Sequence, residues 1–183
     1  MKVEPIRDVG IIQECIQYLE VRSQRDALLF STGIYTGLRI SDILKLRVRD
    51  IYNKNRLDVT QTKTSNIVHI PIHPKLKKKV KAYVEENNLQ SYDLIFRSRK
   101  GLNKAITRQQ AYNILNDMAK YIGLENIGTH TLRKTAGYHM YKSNKNNIGI
   151  VMQLLGHKDS ASTLRYIGIT DMDIHNGIRN LPF

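Results

Sequence analysis

Two pairs of residues in the sequence have the side-chain types that a phosphate-binding site requires. His130 and Arg133 are three residues apart at the start of a predicted helix, so their side chains share one face. Arg39 and Asp42 have the same spacing earlier in the chain. A guanidinium donates parallel hydrogen bonds to two phosphate oxygens, and an imidazole donates another or moves a proton near neutral pH. If the two arginines converge with two histidines, His130 and His157, they can bind one phosphodiester.

Other residues could supply a nucleophile and a further proton donor. His157 follows a Leu-Gly pair, Tyr166 comes nine residues after it, and Lys63 lies in the turn of a predicted hairpin. A tyrosine can act as a covalent nucleophile, but its ordinary pKa of about 10 means that it needs activation by its surroundings. Each of these residues alone has a structural explanation, as a helix cap, a core side chain or a turn residue. The chemical interpretation depends on their order and spacing taken together.

The excess of positive charge points to a polyanionic partner. The 183 residues include 29 Lys and Arg against 16 Asp and Glu, a formal net charge of +13. Nucleic acid is the simplest partner for such a chain, and acidic lipid is a weaker alternative. The single cysteine, Cys15, excludes an intrachain disulfide and a cysteine-based zinc cluster. No apolar run approaches about 18 residues and the N-terminus does not resemble a signal peptide, so we expect a cytoplasmic protein with no membrane partner.

Hydrophobic periodicity predicts the elements that must position these residues. Apolar residues at helical spacing predict helices over 8–21, 25–35, 40–46, 74–88, 107–122, 130–141, 148–155, 159–166 and 171–178. Alternating β-branched residues predict strands at 56–60 and 66–72, joined by a turn that contains Lys63. A short strand is expected at 94–96. The predicted fold class is mainly α with a small antiparallel β-sheet, and the length fits one domain.

Taken in order, these residues resemble the motifs of the tyrosine recombinases, the phage integrase family. The resemblance extends from residue 3 to about residue 178. The matching motifs are Thr-Gly-Leu-Arg-Ile-Ser-Asp at 36–42, Lys63 in the hairpin, His-Thr-Leu-Arg at 130–133, Leu-Gly-His at 155–157, and Thr163 three residues before Tyr166. The resemblance implies the integrase-like catalytic domain fold. It also implies a site-specific recombinase or integrase.

The mechanism that the resemblance implies is attack by Tyr166 on a DNA phosphodiester. A 3′-phosphotyrosyl bond forms, a 5′-hydroxyl leaves, and strand exchange and religation follow. Arg39 and Arg133 would stabilise the charge of the transition state. The reaction needs no metal ion and no ATP, because one phosphoester is exchanged for another. We therefore expect no cofactor, and the sequence has no P-loop pattern.

The remaining motif residues receive supporting roles from the same resemblance. His157 would donate to the same phosphate, and Lys63 would protonate the leaving oxygen. His130 would assist proton transfer at the tyrosine, and Asp42 would orient the site.

Partners and domain organisation follow from the resemblance as expectations. Double-stranded DNA is the expected partner. A homo-oligomer, specifically a tetramer, is expected to bind it. An accessory DNA-bending protein or a full-length recombinase is the further partner that the resemblance suggests. Arg108 and Lys134 are candidate DNA contacts beyond the catalytic set. Residues 1–183 are expected to be a single catalytic domain, without the family's N-terminal core-binding domain.

Two alternatives to a recombinase stay open at this point. One is a type IB topoisomerase-like enzyme that only cleaves and religates. The other is a non-enzymatic DNA-binding regulator, although such a protein has no need of Tyr166 or Lys63.

Overall fold

The computed structural model describes residues 3–60 and 67–169 and positions 173, 175, 178, 179 and 181. The elements within these residues are α1 (Val9–Arg22), α2 (Gln24–Thr36), α3 (Ile40–Ile43), α4 (Val48–Ile51), β1 (Arg56–Thr60), β2 (Ile67–Pro71), α5 (Pro74–Glu86), α6 (Arg108–Ile122), α7 (Thr129–Ser143), α8 (Ile148–Leu155) and α9 (Ser160–Ile167). The predicted fold class is confirmed: the described chain is mainly helical with a two-stranded antiparallel sheet.

The hydrophobic core is organised around α2. Its residues Leu28, Leu29 and Phe30 are buried, and the helix packs against α1, α5 and α7. The approach to α7 is close, because a Cβ at Gly33 would lie 2.5 Å from the Leu132 side chain. A glycine at this contact lets the backbones of α2 and α7 approach each other. The end of α2 and the first half of α7 therefore have a fixed separation.

The sheet is a hairpin whose inner face joins the core. Its register runs from Arg56 opposite Pro71 to Thr60 opposite Ile67. Alternate side chains of β1 are buried and the others are exposed, as expected for a strand with one face on the core. The two strands lead to residues 61–66, so the predicted site residue Lys63 lies outside the described residues.

Two sequence predictions about local structure are wrong. Segment 94–96 is not a strand: Leu94 forms one isolated bridge with Arg47, and its N–H donates to the Asn103 side chain. The predicted helix 40–46 ends at Ile43, because the N–H groups of Lys45 and Leu46 bond carbonyls three residues back and close a tight turn. The unpredicted short helix α4 follows this turn.

The last predicted helix, 171–178, lies mostly outside the described residues. Within the part of the chain that is described, no helix has both the length and the apolar character needed to cross a membrane.

Candidate active site

Arg39 is positioned by the abrupt end of α2. Gly37 follows that helix with a φ of +63°, in the left-handed region, and its N–H donates to the carbonyl of Gly33 at 2.9 Å. A Cβ at position 37 would also lie 3.2 Å from the Leu154 side chain. Glycine therefore suits this turn for both its conformation and its size. The chain then leads to the half-buried Arg39, which is the N-cap residue of α3.

Arg133 is bound by carbonyl groups at the ends of two helices. Its side chain is 2% exposed. Nη1 donates to the carbonyl of Gly37 after α2, and Nη2 donates to the carbonyl of Leu155 at the end of α8. Such carbonyls lack intrahelical donors and carry partial negative charge, so they compensate a buried cation. Arg133 thus connects the segment that carries Arg39 to the segment that carries His157.

The charges around Arg133 act in opposite directions. Burial lowers the pKa of its guanidinium and Arg39 lowers it further, whereas Tyr166 and Asp42 raise it. Arginine nevertheless stays charged in proteins. Asp42 is itself buried in α3. Its position beside the arginines agrees with the orienting role that the sequence suggests, and that role stays a prediction.

Tyr166 is carried by α9 and meets residues of its own chain. His130 Nδ1 lies 3.2 Å from the Tyr166 hydroxyl, and the nearby Arg133 guanidinium acts to lower the pKa of this phenol. The His157 ring meets the tyrosine ring edge to face, with centroids 5.0 Å apart. The hydroxyl of the candidate nucleophile therefore lies at hydrogen-bond distance from a candidate base and within the electrostatic influence of arginines.

The protonation of the tyrosine depends on these neighbours. Burial raises the pKa of Tyr166, while the Arg133 and Arg39 charges oppose that shift. The phenol is consequently neutral at neutral pH. Ionisation during attack needs a proton acceptor, and His130 is within hydrogen-bond reach.

His157 is oriented by Thr163, in the helix that carries Tyr166. His157 follows Gly156, whose φ of +62° ends α8. Its Nδ1 lies 3.2 Å from Thr163 Oγ1, and that hydroxyl donates to the Asp159 carbonyl at 2.7 Å. Because the hydroxyl has only one proton, it accepts from the imidazole, which places the imidazole proton on Nδ1. Burial lowers the pKa of His157, and Arg133 and Arg39 lower it further.

A cationic cleft lies beside these groups. Its volume is about 330 Å³. The cleft is lined by Arg39, Ile40, Ser41, Arg108, Thr129, His130 and Arg133. Arg108 is exposed and is the first residue of α6. Guanidinium groups around an open cleft can bind a phosphate group.

The structure brings most of the sequence-predicted residues into one place. The residues that come together are Arg39, Asp42, Arg108, His130, Arg133, His157 and Tyr166. Lys134 is 5% exposed, and its ammonium lies 5.2 Å from the centroid of the Tyr166 ring. This inward position was not foreseen. A contact between Lys134 and DNA stays a prediction that its burial does not favour.

Sequence reasoning also missed the contacts that hold the site together. It did not identify the Gly37 and Leu155 carbonyls as partners of Arg133, and it gave Thr163 no role. The available signal for Thr163 was its spacing, since it lies three residues before Tyr166 on the same helix. The carbonyl contacts leave no signal in side-chain identity.

The site combines a tyrosine, two arginines and two histidines beside a cationic cleft, and these side-chain types suit phosphoryl transfer. The sequence pattern of the phage integrase family matches residues 9–172. The probable integrase/recombinase YoeC of Bacillus subtilis is 44% identical over 169 residues, which cover 92% of this chain and 91% of that protein. The chain belongs to the phage integrase family of tyrosine recombinases, enzymes that cleave and rejoin DNA.

Further similarities agree with this assignment. A tyrosine recombinase of Pseudothermotoga lettingae is 27% identical over 172 residues, covering 93% of this chain. The crystal structure of XerH recombinase, bound to a palindromic difH substrate after cleavage, has the same fold, with a TM-score of 0.79 at 18% identity and 98% of this chain covered. The chain spans 58% of the first of these proteins and 53% of the second.

Proposed function

We propose that this protein is a site-specific DNA recombinase that cleaves and religates DNA through Tyr166. One observation supports this most directly: beside the cationic cleft, His130 lies within hydrogen-bond distance of the Tyr166 hydroxyl, and the Arg133 charge acts on the same phenol. A nucleophile, a base and a charge-stabilising group are therefore within reach of one phosphate. The 44% identity to the probable integrase/recombinase of B. subtilis supports the same proposal.

The first chemical step is attack of the Tyr166 oxygen on phosphorus. The bond from tyrosine oxygen to phosphorus forms, the bond from phosphorus to the 5′-oxygen breaks, and His130 takes the phenol proton. Arg133 uses two terminal nitrogens on carbonyls, but a guanidinium has five N–H donors, so others remain for the phosphate. Arg39 supplies the second guanidinium for the negative charge of the transition state.

Protonation of the leaving 5′-oxygen is assigned to Lys63. The hairpin supports this proposal, because β1 and β2 lead to the segment that contains it. His157 donates to a non-bridging oxygen as its imidazolium, since the neutral ring carries its only proton on the nitrogen that faces Thr163. Religation by an incoming 5′-hydroxyl reverses the same proton transfers.

Double-stranded DNA is the proposed substrate, and a homotetramer on DNA is the proposed assembly. The net charge of +13 and the exposed Arg108 at the cleft support binding to a phosphate backbone. An accessory DNA-bending protein or a full-length recombinase would assist assembly.

Covalent capture on nicked DNA tests the proposal. The protein is incubated with nicked duplexes from the DNA that flanks its own gene, and SDS-resistant, protease-sensitive adducts are counted. The wild type is expected to form adducts. Tyr166→Phe is expected to bind the same DNA and form none. Tyr138→Phe is the matched control, because Tyr138 packs in the same apolar cluster but on α7 and is expected to leave adduct formation intact.

The outcomes separate the proposal from its alternatives. Adducts that persist in Tyr166→Phe would refute tyrosine chemistry at this position. DNA binding with no adduct in the wild type would favour a DNA-binding regulator. If the protein relaxes supercoiled plasmids that carry the captured DNA sites but forms no recombined product, a type IB topoisomerase-like enzyme would be favoured.

A further inference from the structure

Lys134 occupies an unusual position for a lysine. It lies on α7, where every residue from 131 to 137 is buried, and it is itself 5% exposed. Burying an ammonium is costly unless the surroundings compensate its charge. One contact of this ammonium is with the face of Tyr166, at 5.2 Å from ammonium nitrogen to ring centroid. The lysine therefore contacts the ring of the candidate nucleophile.

We propose that Lys134 is a positioning residue for Tyr166, which holds the phenol ring in the site and stabilises its ionised form through the ring face. This inference rests on the proposed function of Tyr166. A cation over an aromatic face is attracted to the negative face of the ring. The attraction increases when the ring gains charge as a phenolate. Lys134 thus favours the ionised state that attacks phosphorus, without contacting the substrate.

Lys134 adds to other charges that face the tyrosine. The titratable groups around Tyr166 are Arg39, His130, Arg133, Lys134 and His157. Of these, His130 lies at hydrogen-bond distance from the hydroxyl oxygen, and the Arg133 and Arg39 charges lower the pKa of the phenol. Lys134 differs because it acts on the ring rather than on the oxygen. Its contact with the ring face leaves the phenol oxygen available for attack on phosphorus.

A second lysine on the same helix supplies a matched control. Lys142 places its ammonium 5.8 Å from the centroid of the Tyr138 ring, and it also pairs with Asp173 at 2.8 Å. It is outside the candidate active site and more exposed than Lys134. Lys142→Met therefore removes a similar contact between a lysine and a tyrosine from α7 without changing the surroundings of Tyr166.

The experiment measures single-turnover adduct formation on nicked DNA as a function of pH. Lys134→Met is expected to react about tenfold to thirtyfold more slowly at neutral pH. The part of its pH–rate profile in which the rate rises with pH is expected to move about one pH unit higher, because the phenol ionises less readily. Lys134→Arg keeps the cation and is expected to restore most of the rate. Lys142→Met is expected to match the wild type.

Two further measurements separate positioning from folding. Difluorotyrosine at position 166 has a more acidic phenol and is expected to rescue Lys134→Met, which a purely structural defect would not permit. In the DNA-free protein, the NMR signals of the Tyr166 ring are assigned by comparison with Tyr166→Phe. These signals are expected to shift in Lys134→Met and to stay unchanged in Lys142→Met. This second readout does not depend on catalysis.

The outcomes distinguish this inference from the proposed function. If the wild-type protein forms no adduct, the role of Tyr166 as nucleophile is refuted. Catalytic assistance by Lys134 is then refuted as well. If the wild type forms adducts and Lys134→Met has the same rate and pH profile, only the inference about Lys134 is refuted. A slow Lys134→Met with an unshifted pH profile and no rescue by difluorotyrosine would also overturn it.

Discussion

Replacement of Thr163 by valine tests how the His157 imidazole is set for catalysis. The hydroxyl of Thr163 donates to the Asp159 carbonyl and accepts from His157 Nδ1. Neutral His157 therefore presents a lone pair at Nε2, and it can donate to a phosphate oxygen only when it is protonated. Valine has nearly the shape of threonine and removes the acceptor. The neutral ring is then free to carry its proton on Nε2.

The structure predicts two effects of Thr163→Val, and the first is a loss of stability. Thr163 is fully buried, so loss of its hydrogen bonds is expected to destabilise the fold by about 1–3 kcal/mol. For a domain of this size the thermal midpoint falls by about 2–4 °C per kcal/mol.

The second effect concerns pH. Burial lowers the pKa of His157, and nearby arginines lower it further. The protonated form is the donor in the wild type, so cleavage is favoured below the pKa of DNA-bound His157 and falls as pH rises through it. In Thr163→Val the neutral ring can donate from Nε2, so this fall at high pH is expected to be reduced.

The assay is single-turnover adduct formation between about pH 5 and pH 9, with thermal denaturation measured in parallel. Thr163→Ser keeps the hydroxyl and is the matched control, expected to retain the wild-type profile. A valine variant that loses rate at high pH with the wild-type midpoint would refute the assignment of the proton to Nδ1. If serine behaved like valine, the effect would arise from packing of the lost methyl group rather than from the hydrogen bond.

Three further predictions concern the supports of the site. Arg133→Lys cannot satisfy both helix-end carbonyls, so it is expected to lower stability by about 2–4 kcal/mol, and an unchanged thermal midpoint would contradict the structural role of this arginine. Gly137→Ala places a Cβ 2.7 Å from the Ile167 side chain and is expected to displace α9, with adduct formation falling about tenfold or more; wild-type rates would mean that the two helices can separate without cost. Arg108→Ala is expected to weaken DNA binding and reduce the salt dependence by about one counterion, as measured by titration at several salt concentrations, while a salt dependence equal to wild type would place it away from the phosphates.

The fold was predictable where its signals are local. Helix 148–155 was predicted with the observed bounds, because Asn147 caps its start and Gly156 ends it. The strand predicted at 94–96 was wrong because the backbone groups of this segment bond residues elsewhere in the chain, such as Asn103 and Arg47. Such partners are not encoded in the hydrophobic pattern of the segment itself.

The candidate site was predictable in its residue types but not in its supports. The motifs at Arg39 and Arg133 indicated a converging pair, and the structure places their charges close enough to interact. The bonds from Arg133 to carbonyls 96 and 22 residues away could not be inferred, since any residue supplies a carbonyl. The inward position of Lys134 could not be foreseen for a related reason: which side of α7 is covered depends on residues of other elements, such as Tyr166 of α9.

The carbonyl contacts of Arg133 also affect how inactive descendants of such a protein can be recognised. A lineage that abandons cleavage but keeps DNA binding can replace Tyr166 with phenylalanine, which keeps a ring beside Lys134, and can replace the exposed His130. It cannot replace Arg133 as easily, because two carbonyl oxygens would lose their buried donor. Retention of this arginine in a related sequence is therefore a weak indicator of activity. Loss of the tyrosine, with the arginine kept, is the pattern expected of a repurposed, non-cleaving relative.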